Sequence, residues 1–395
     1  MTNHKNPAPP PSAPQTEPAF EVGQVLTLAS AHLTHDVFSS FLVPLLPLII
    51  KKFNLSLTLA GLLPAFQRFP SVFNPFIGVL ADRMDLRALI ILAPTITATT
   101  MGLIGVAPSY AVIALLLLVA GTSSSALHVP APVMVARVSG GQVGKGMSFW
   151  MTGGELARTL GPLFAVSAVS LWGLEGMYPV MIVGVAASVT LYWRLRGASF
   201  TPRPARSRGS NAQTWRALAR VFVPITGILL CKDFMSAALT TFLPTFLSSE
   251  GKSLWFSGIA LSVLQLSGAG GALAAGTLSD RLGRRTVLFI ALMVSPLLLL
   301  GLLAADGWIL FPILVALGFT ILSPTPVIMA IIQDRVADNP ATANGLYMGI
   351  NFLINSGMSV LTGWLADSVG LRTAFAWSAT VALLGIPIIF LLPRR

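Results

Sequence analysis

The chain has 395 residues, of which 54% are hydrophobic and only 10% charged, with a formal net charge of +11. Soluble domains carry about 25% charged residues, so charge this sparse excludes a soluble enzyme, a nucleic-acid-binding domain and a disordered scaffold. The remaining class is a polytopic membrane protein, whose spans need roughly 20 apolar residues each and whose excess positive charge marks cytoplasmic loops.

Residues 1–21 are polar and hold six prolines before Ala19, with no apolar core of a signal peptide. They are expected to form a disordered cytoplasmic tail. Apolar runs then fall near 22–50, 57–80, 89–107, 110–136, 147–172 and 177–194. Six more follow near 221–247, 255–279, 287–304, 309–332, 343–366 and 373–392. The pattern predicts an all-α membrane protein with twelve transmembrane helices in two six-helix bundles, 22–194 and 221–395. Between them, 195–220 is rich in Arg and reads as a cytoplasmic linker attracted to anionic headgroups. The single cysteine, Cys231, lies in an apolar run, so no disulfide framework or Cys-rich metal site is expected.

The two halves repeat. Asp36 and Asp233, Ser39 and Ser236, Pro47 and Pro244, Gly61 and Gly258, and Gly173 and Gly370 all keep an offset of 197. Matches at a nearly constant offset over such a length point to a tandem duplication. With both termini in the cytoplasm, most of the 25 Lys and Arg fall in cytoplasmic segments. Lys51, Lys52, Lys252 and Arg372 fall in outer loops and three more lie inside the spans, which supports that orientation.

The loop after span 2 reads Gly78-Val79-Leu80-Ala81-Asp82-Arg83-Met84-Asp85-Leu86-Arg87. The loop after span 8 reads Gly276-Thr277-Leu278-Ser279-Asp280-Arg281-Leu282-Gly283-Arg284-Arg285. Both resemble the G-x-L-x-D-R-x-G-R-R loop of the major facilitator superfamily; the first copy departs from it at Asp85. The resemblance implies that Asp82, Arg83, Asp280 and Arg281 take part in gating. Four further stretches resemble the fosmidomycin-resistance-like branch of exporters: His32 to Asp36, Leu127 to Pro130, Gly153 to Leu163, and Ser323-Pro324 with Gly363 to Asp367. Leu117 stands where antiporters of the superfamily often place an Arg four residues ahead of Gly121, whereas the Gly161-Pro162 step of antiporters is present.

Within the predicted spans lie Asp36, Glu155, Asp233, Arg68, Arg158 and Lys232, together with His32, His35 and His128. Ionisable groups at membrane depth face a cavity or a partner. Asp36 and Asp233 occupy related positions in spans 1 and 7, which line the central cavity in the family. His32 and Asp36 are one helical turn apart and share a face. Asp36, His32 and Asp233 are therefore the candidates for proton coupling, and a purely structural bond of either Asp to a neighbouring helix is the alternative. Arg68, His128, Glu155, Arg158, Lys232 and His35 are the candidates for substrate binding. Glu155 and Arg158 can also pair with each other at i, i+3. Arg suits a phosphonate, phosphate or carboxylate through its planar fork.

Only His32 and Asp36 stand close in sequence as ligands, so no metal is expected. The pattern of a nucleotide-binding loop is absent and no cofactor is expected. Together with the resemblance, these residues point to a monomeric secondary transporter of a multi-pass cell membrane, such as a bacterial inner membrane. It would be no enzyme, would bind no nucleic acid, and would exchange protons for a small, anionic organic compound or drug. Import of an organic anion by symport or exchange is one alternative; a receptor or assembly factor built on a transporter fold is another.

Overall fold

The computed structural model describes residues 19–196, 212–335 and 340–392. Most of the expected tail and linker lie outside the described residues, as do the side chains of Asp82 and Arg83. No strand occurs among the described residues.

The first half holds α1 (Val22–Ser39, resuming as Leu42–Phe53), α2 (Leu57–Arg68, a tight turn Phe69–Phe73, then Asn74–Arg83) and α3 (Arg87–Leu103). It continues with α4 (Tyr110–His128, then Pro130–Val138), α5 (Val143–Gly176) and α6 (Met181–Leu195). The second half holds α7 (Ala212–Ser249), α8 (Leu254–Leu282), α9 (Arg284–Ala304), α10 (Leu310–Leu322, then Pro324–Arg335), α11 (Pro340–Val369) and α12 (Leu371–Leu383, then Gly385–Ile389). Ten helical stretches among the described residues are long and apolar enough to cross a membrane. The other two of the twelve positions belong to α2, broken by Pro70 and Pro75, and to α11, diluted by Asn351, Asn355 and Ser356. One boundary differs from expectation: α7 starts at Ala212, inside the stretch assigned to the linker.

The breaks follow the prolines. Pro44 brings no N–H to the carbonyl of Ser40, and α1 interrupts there. Pro130 and Pro132 interrupt α4 immediately after His128. Large apolar side chains, among them Leu171, Ile182, Val223 and Leu273, cover the outside of the bundle, as a lipid environment requires.

The duplication is visible in the backbone. Ser56 and Ser253 cap α2 and α8 in the same way, each accepting from the N–H three residues on. Just before them, Asn54 and Gly251 both adopt positive φ. Gly173 and Gly370 do the same before α6 and α12, at φ +72° and +82°. Every one of these pairs keeps the offset of 197.

The halves meet along α2 with α11, α5 with α8, and the second part of α1 with α7. Two related glycines allow the close approach. A Cβ on Gly61 would stand 2.5 Å from the carbonyl oxygen of Ser359, and one on Gly258 would stand 2.8 Å from Val166. A third, Gly363, lies against the Leu57 carbonyl. Asp367, near the end of α11, crosses to the start of α2. Its carboxylate accepts from the backbone N–H groups of Leu57 and Thr58 at 2.7 and 2.9 Å and from the Thr58 hydroxyl at 2.6 Å. An anionic cap on the positive end of a helix is favourable. Together these contacts close the end of the bundle that carries residues 54–56 and 370, here termed the far end; the linker end is opposite.

Within each half, basic side chains staple the far-end loops. Lys52 reaches the Gly105 carbonyl and Glu175, Lys252 pairs with Asp306, and Arg372 pairs with Glu250. The hydrogen bond from Lys252 holds the Asp306 carboxyl below its ordinary range, with the Gly307 N–H adding to the effect.

Removing a helix cap of this kind costs about 1 kcal/mol, roughly a fivefold change in an equilibrium. Asp367→Ala is therefore expected to raise the population open at the far end about fivefold. Spin labels on the loops between α1 and α2 and between α11 and α12 measure it; a distance distribution identical to wild type refutes the role of the cap.

Candidate functional site

Asp36 lies halfway along α1, one turn above His32. The His32 Nε2 stands 3.2 Å from one carboxylate oxygen, Oδ2. The other oxygen, Oδ1, accepts from the Nδ1–H of His35 at 2.8 Å and faces the Nε2 of His128, on α4, at 3.4 Å. His32 and His128 also meet directly, Nε2 to Nε2, at 3.1 Å. Three of the four histidines in the chain thus surround one carboxylate.

The rings are held from behind. The Nδ1 of His32 lies 2.8 Å from the Trp150 carbonyl on α5, and its ring stacks on the Trp150 indole with centroids 4.0 Å apart and planes 18° from parallel. The Nδ1 of His128 lies 2.9 Å from the carbonyl of Ser124, one turn earlier. Gly154 makes the space: a Cβ there would fall 2.5 Å from the His32 ring. Gly153 and Gly161 continue the same close approach, against the carbonyls of Ala29 and Val37. The glycines of α5 therefore let α1 sink onto it and set the height of His32.

His35, a candidate for substrate binding on its sequence, is fully buried and spends its Nδ1 on Asp36. Lys232 is also buried and pairs with its neighbour Asp233. Neither presents surface to a cavity in this state. The exposed edge of the cluster is His128, whose side chain keeps 34% of its surface.

The related position in the second half is built differently. Asp233 has one lysine in place of three histidines, and its second oxygen, Oδ2, has no hydrogen-bond partner. Arg68, on α2, bonds Asn355 of α11 across the interface between the halves, and Asp233 lies within electrostatic reach of it. On α5, Glu155 and Arg158 form the i, i+3 pair that their spacing predicts, partly exposed, with Arg158 electrostatically coupled to His128.

At the linker end, Asp280 pairs with Arg284 at 2.8 Å, and Arg284 also meets Asp334 of α10 at 3.5 Å. Arg281, the expected gate residue, is exposed. Asp280 ends α8 and Arg284 opens α9 on either side of Gly283, so the turn, and not a shared helix face, brings them together. Trp150 and Asn355 also went unnoticed in the sequence. Asn355 could have been found as an amide inside an apolar run; nothing in the pattern marked Trp150 among eight tryptophans.

The donor atoms of His32, Asp36 and His128 lie within 4.8 Å of one another, a spacing that one metal ion could also span. The expectation of no metal rested on His32 and Asp36 being the only close pair, and that premise is corrected: His128 joins them through the packing of α4.

The Major Facilitator Superfamily model matches residues 28–360 and, in an overlapping match, 269–395. The fosmidomycin resistance protein of Escherichia coli (strain K12) is 24% identical over 404 residues, covering 100% of this chain and 99% of that protein. The multidrug resistance protein MdtG of Proteus mirabilis (strain HI4320) is 22% identical, covering 88% and 90%. Among solved structures, a bacterial homologue of the human lysosomal transporter Spinster, inward-facing and unoccupied, superposes with a TM-score of 0.78 at 16% identity over 93% of this chain and 96% of that one. The nucleoside transporter NupG gives 0.76 or 0.75 in two structures, the latter at 14% identity over 95% and 100%. A duplicated helical bundle that buries a histidine-ringed carboxylate fits what these matches establish: the chain belongs to the Major Facilitator Superfamily.

Proposed function

We propose that this transporter exports a small, anionic organic compound in exchange for protons, by alternating access. The observation that carries the reading is Asp36, surrounded by His32, His35 and His128 halfway along a membrane span. A carboxylate and three imidazoles offer several proton positions within hydrogen-bond reach, and ionisable groups at such depth mark proton and substrate routes. The exposed edge of the cluster, His128, is electrostatically coupled to Arg158, so proton and anion would meet on neighbouring groups.

The bias of Lys and Arg supports an orientation with the linker end and both termini on the cytoplasmic side, and the bacterial relatives suit an inner membrane. In that orientation the closed far end separates the site from the outside. The rocking of one half against the other would exchange the α2–α11 and α5–α8 contacts for contacts at the linker end, where Asp82, Arg83, Asp280 and Arg284 would act. Arg68, bonded across the interface to Asn355, and the Glu155–Arg158 pair are the groups proposed to meet the anion. Two relatives carry names of fosmidomycin and multidrug resistance, which makes fosmidomycin and related phosphonates the first substrates to try. A monomer suffices for this mechanism.

The test is substrate-triggered proton flux in proteoliposomes loaded with a pH-sensitive dye. Wild type is expected to show flux with at least one substrate, and its sign separates antiport from symport. Asp36→Asn is expected to abolish it; full proton-coupled transport by that variant would sink the proposal.

Gly154→Ala offers a test that leaves every titratable group in place. Its added methyl displaces the His32 ring, so flux is expected to fall at least tenfold. Gly144→Ala, with nothing within 4 Å of the new Cβ, is expected to behave as wild type. Equal flux in both variants would remove the link between His32 geometry and coupling.

A further inference from the structure

The contact between His32 and His128 carries more than proximity. The His32 Nδ1 faces the Trp150 carbonyl at 2.8 Å, and the His128 Nδ1 faces the Ser124 carbonyl at 2.9 Å. A carbonyl oxygen only accepts, so a hydrogen on each Nδ1 satisfies these contacts; the Ser124 hydroxyl, 3.2 Å from the His128 Nδ1, can accept from the same hydrogen. In a neutral ring the other nitrogen is then a bare lone pair. Both Nε2 atoms are these other nitrogens, and they point at each other at 3.1 Å. Two lone pairs at that distance repel; one proton between them turns the contact into a hydrogen bond of ordinary length.

We propose that the coupling proton is shared between His32 Nε2 and His128 Nε2, and that Asp36 remains an anion throughout the cycle as the fixed counter-charge. This rests on the reading of the bundle as proton-coupled, and it moves the proton away from the residue first expected to carry it. A proton on Asp36 would satisfy the contact of its oxygen with His32 at 3.2 Å but would leave the two lone pairs opposed. On the shared site it joins the rings and also faces the carboxylate, Oδ2 beside His32 and Oδ1 3.4 Å from His128. His35 completes the shell. It donates to Asp36 through Nδ1, and its buried Nε2 has no hydrogen-bond partner, so a second proton on that ring would find no acceptor. From α5, Arg158 acts electrostatically on His128 and is paired with Glu155.

The consequence is mechanical. His32 is on α1, stacked on α5, whereas His128 ends the first part of α4 at a proline break. The shared proton therefore pins the break of α4 to the α1–α5 pair. Its departure puts two lone pairs face to face and frees His128, the exposed member, to swing away. Proton release is thereby converted into a movement of α4, next to the pair proposed to meet the anion.

The experiment is nitrogen NMR of purified full-length protein labelled with 15N-histidine, run alongside the liposome flux assay. With four histidines in the chain, single His→Gln variants assign the signals. Expected in wild type are two rings with protonated Nδ1 and a scalar coupling between their Nε2 atoms across the shared proton. The coupling is expected to vanish in His128→Gln and to persist in His35→Gln. His128→Gln should also lose substrate-triggered proton flux. Absence of the Nε2–Nε2 coupling at every pH at which the wild type moves protons overturns the shared site, as does a bare Nδ1 on either ring, and leaves the coupling reading standing. Coupling seen in a protein that moves substrate without protons does the reverse: it upholds the shared proton and removes the coupling reading.

Discussion

A carboxylate placed halfway through a membrane must be matched by donors supplied by the protein, because lipid offers none. The arrangement around Asp36 follows from that constraint. His32 and His35 come from its own helix, one turn below and one residue before it. His128 has to arrive from α4. Supporting the two outward rings then recruits two backbone carbonyls, at Trp150 and Ser124. Six positions on three helices are held in one hydrogen-bonded set, and the close packing of α1 on α5 through Gly153, Gly154 and Gly161 is what brings them within reach.

The duplicated frame and the single cluster stand in contrast. Caps, left-handed turns and interface glycines recur in both halves because they serve packing, which symmetry satisfies equally well twice. The buried acids do not recur in the same form. Asp36 has three imidazoles and Asp233 a lysine, so the two acids meet partners of different chemistry. A symmetric bundle can rock between two states, while the charges it carries need not repeat from one half to the other.

Closure at the far end uses few polar contacts. Asp367 bonds the first turn of α2, Arg68 bonds Asn355 deeper in, and between them glycines on α2 and α11 let the backbones touch. One apolar cluster runs through both halves, with Phe41 and Leu45 in the first and Phe242 and Phe246 in the second, so opening separates apolar surface as well as these polar contacts. The ion pairs of Lys52, Lys252 and Arg372 lie within one half or the other, so they stiffen each bundle as a rigid body and leave the movement to the interface between them.

Much of this was legible in the sequence. Apolar runs broken by charge mark the twelve helices to within a few residues at most ends, because a span needs a minimum apolar length whatever its neighbours are. The duplication shows in Asp36 and Asp233 or Gly173 and Gly370, and the pairs His32–Asp36 and Glu155–Arg158 follow from helical spacing alone. Tertiary packing decided the rest. His128 lies more than ninety positions from Asp36, and no periodicity relates them; only the seating of α4 against α1 brings them together. Trp150 contributes a carbonyl and a ring face, neither of which leaves a trace in a one-letter pattern. Asn355 meets Arg68 only where the halves touch. Local spacing determined which groups share a helix face, and the close approach of helices decided which faces meet.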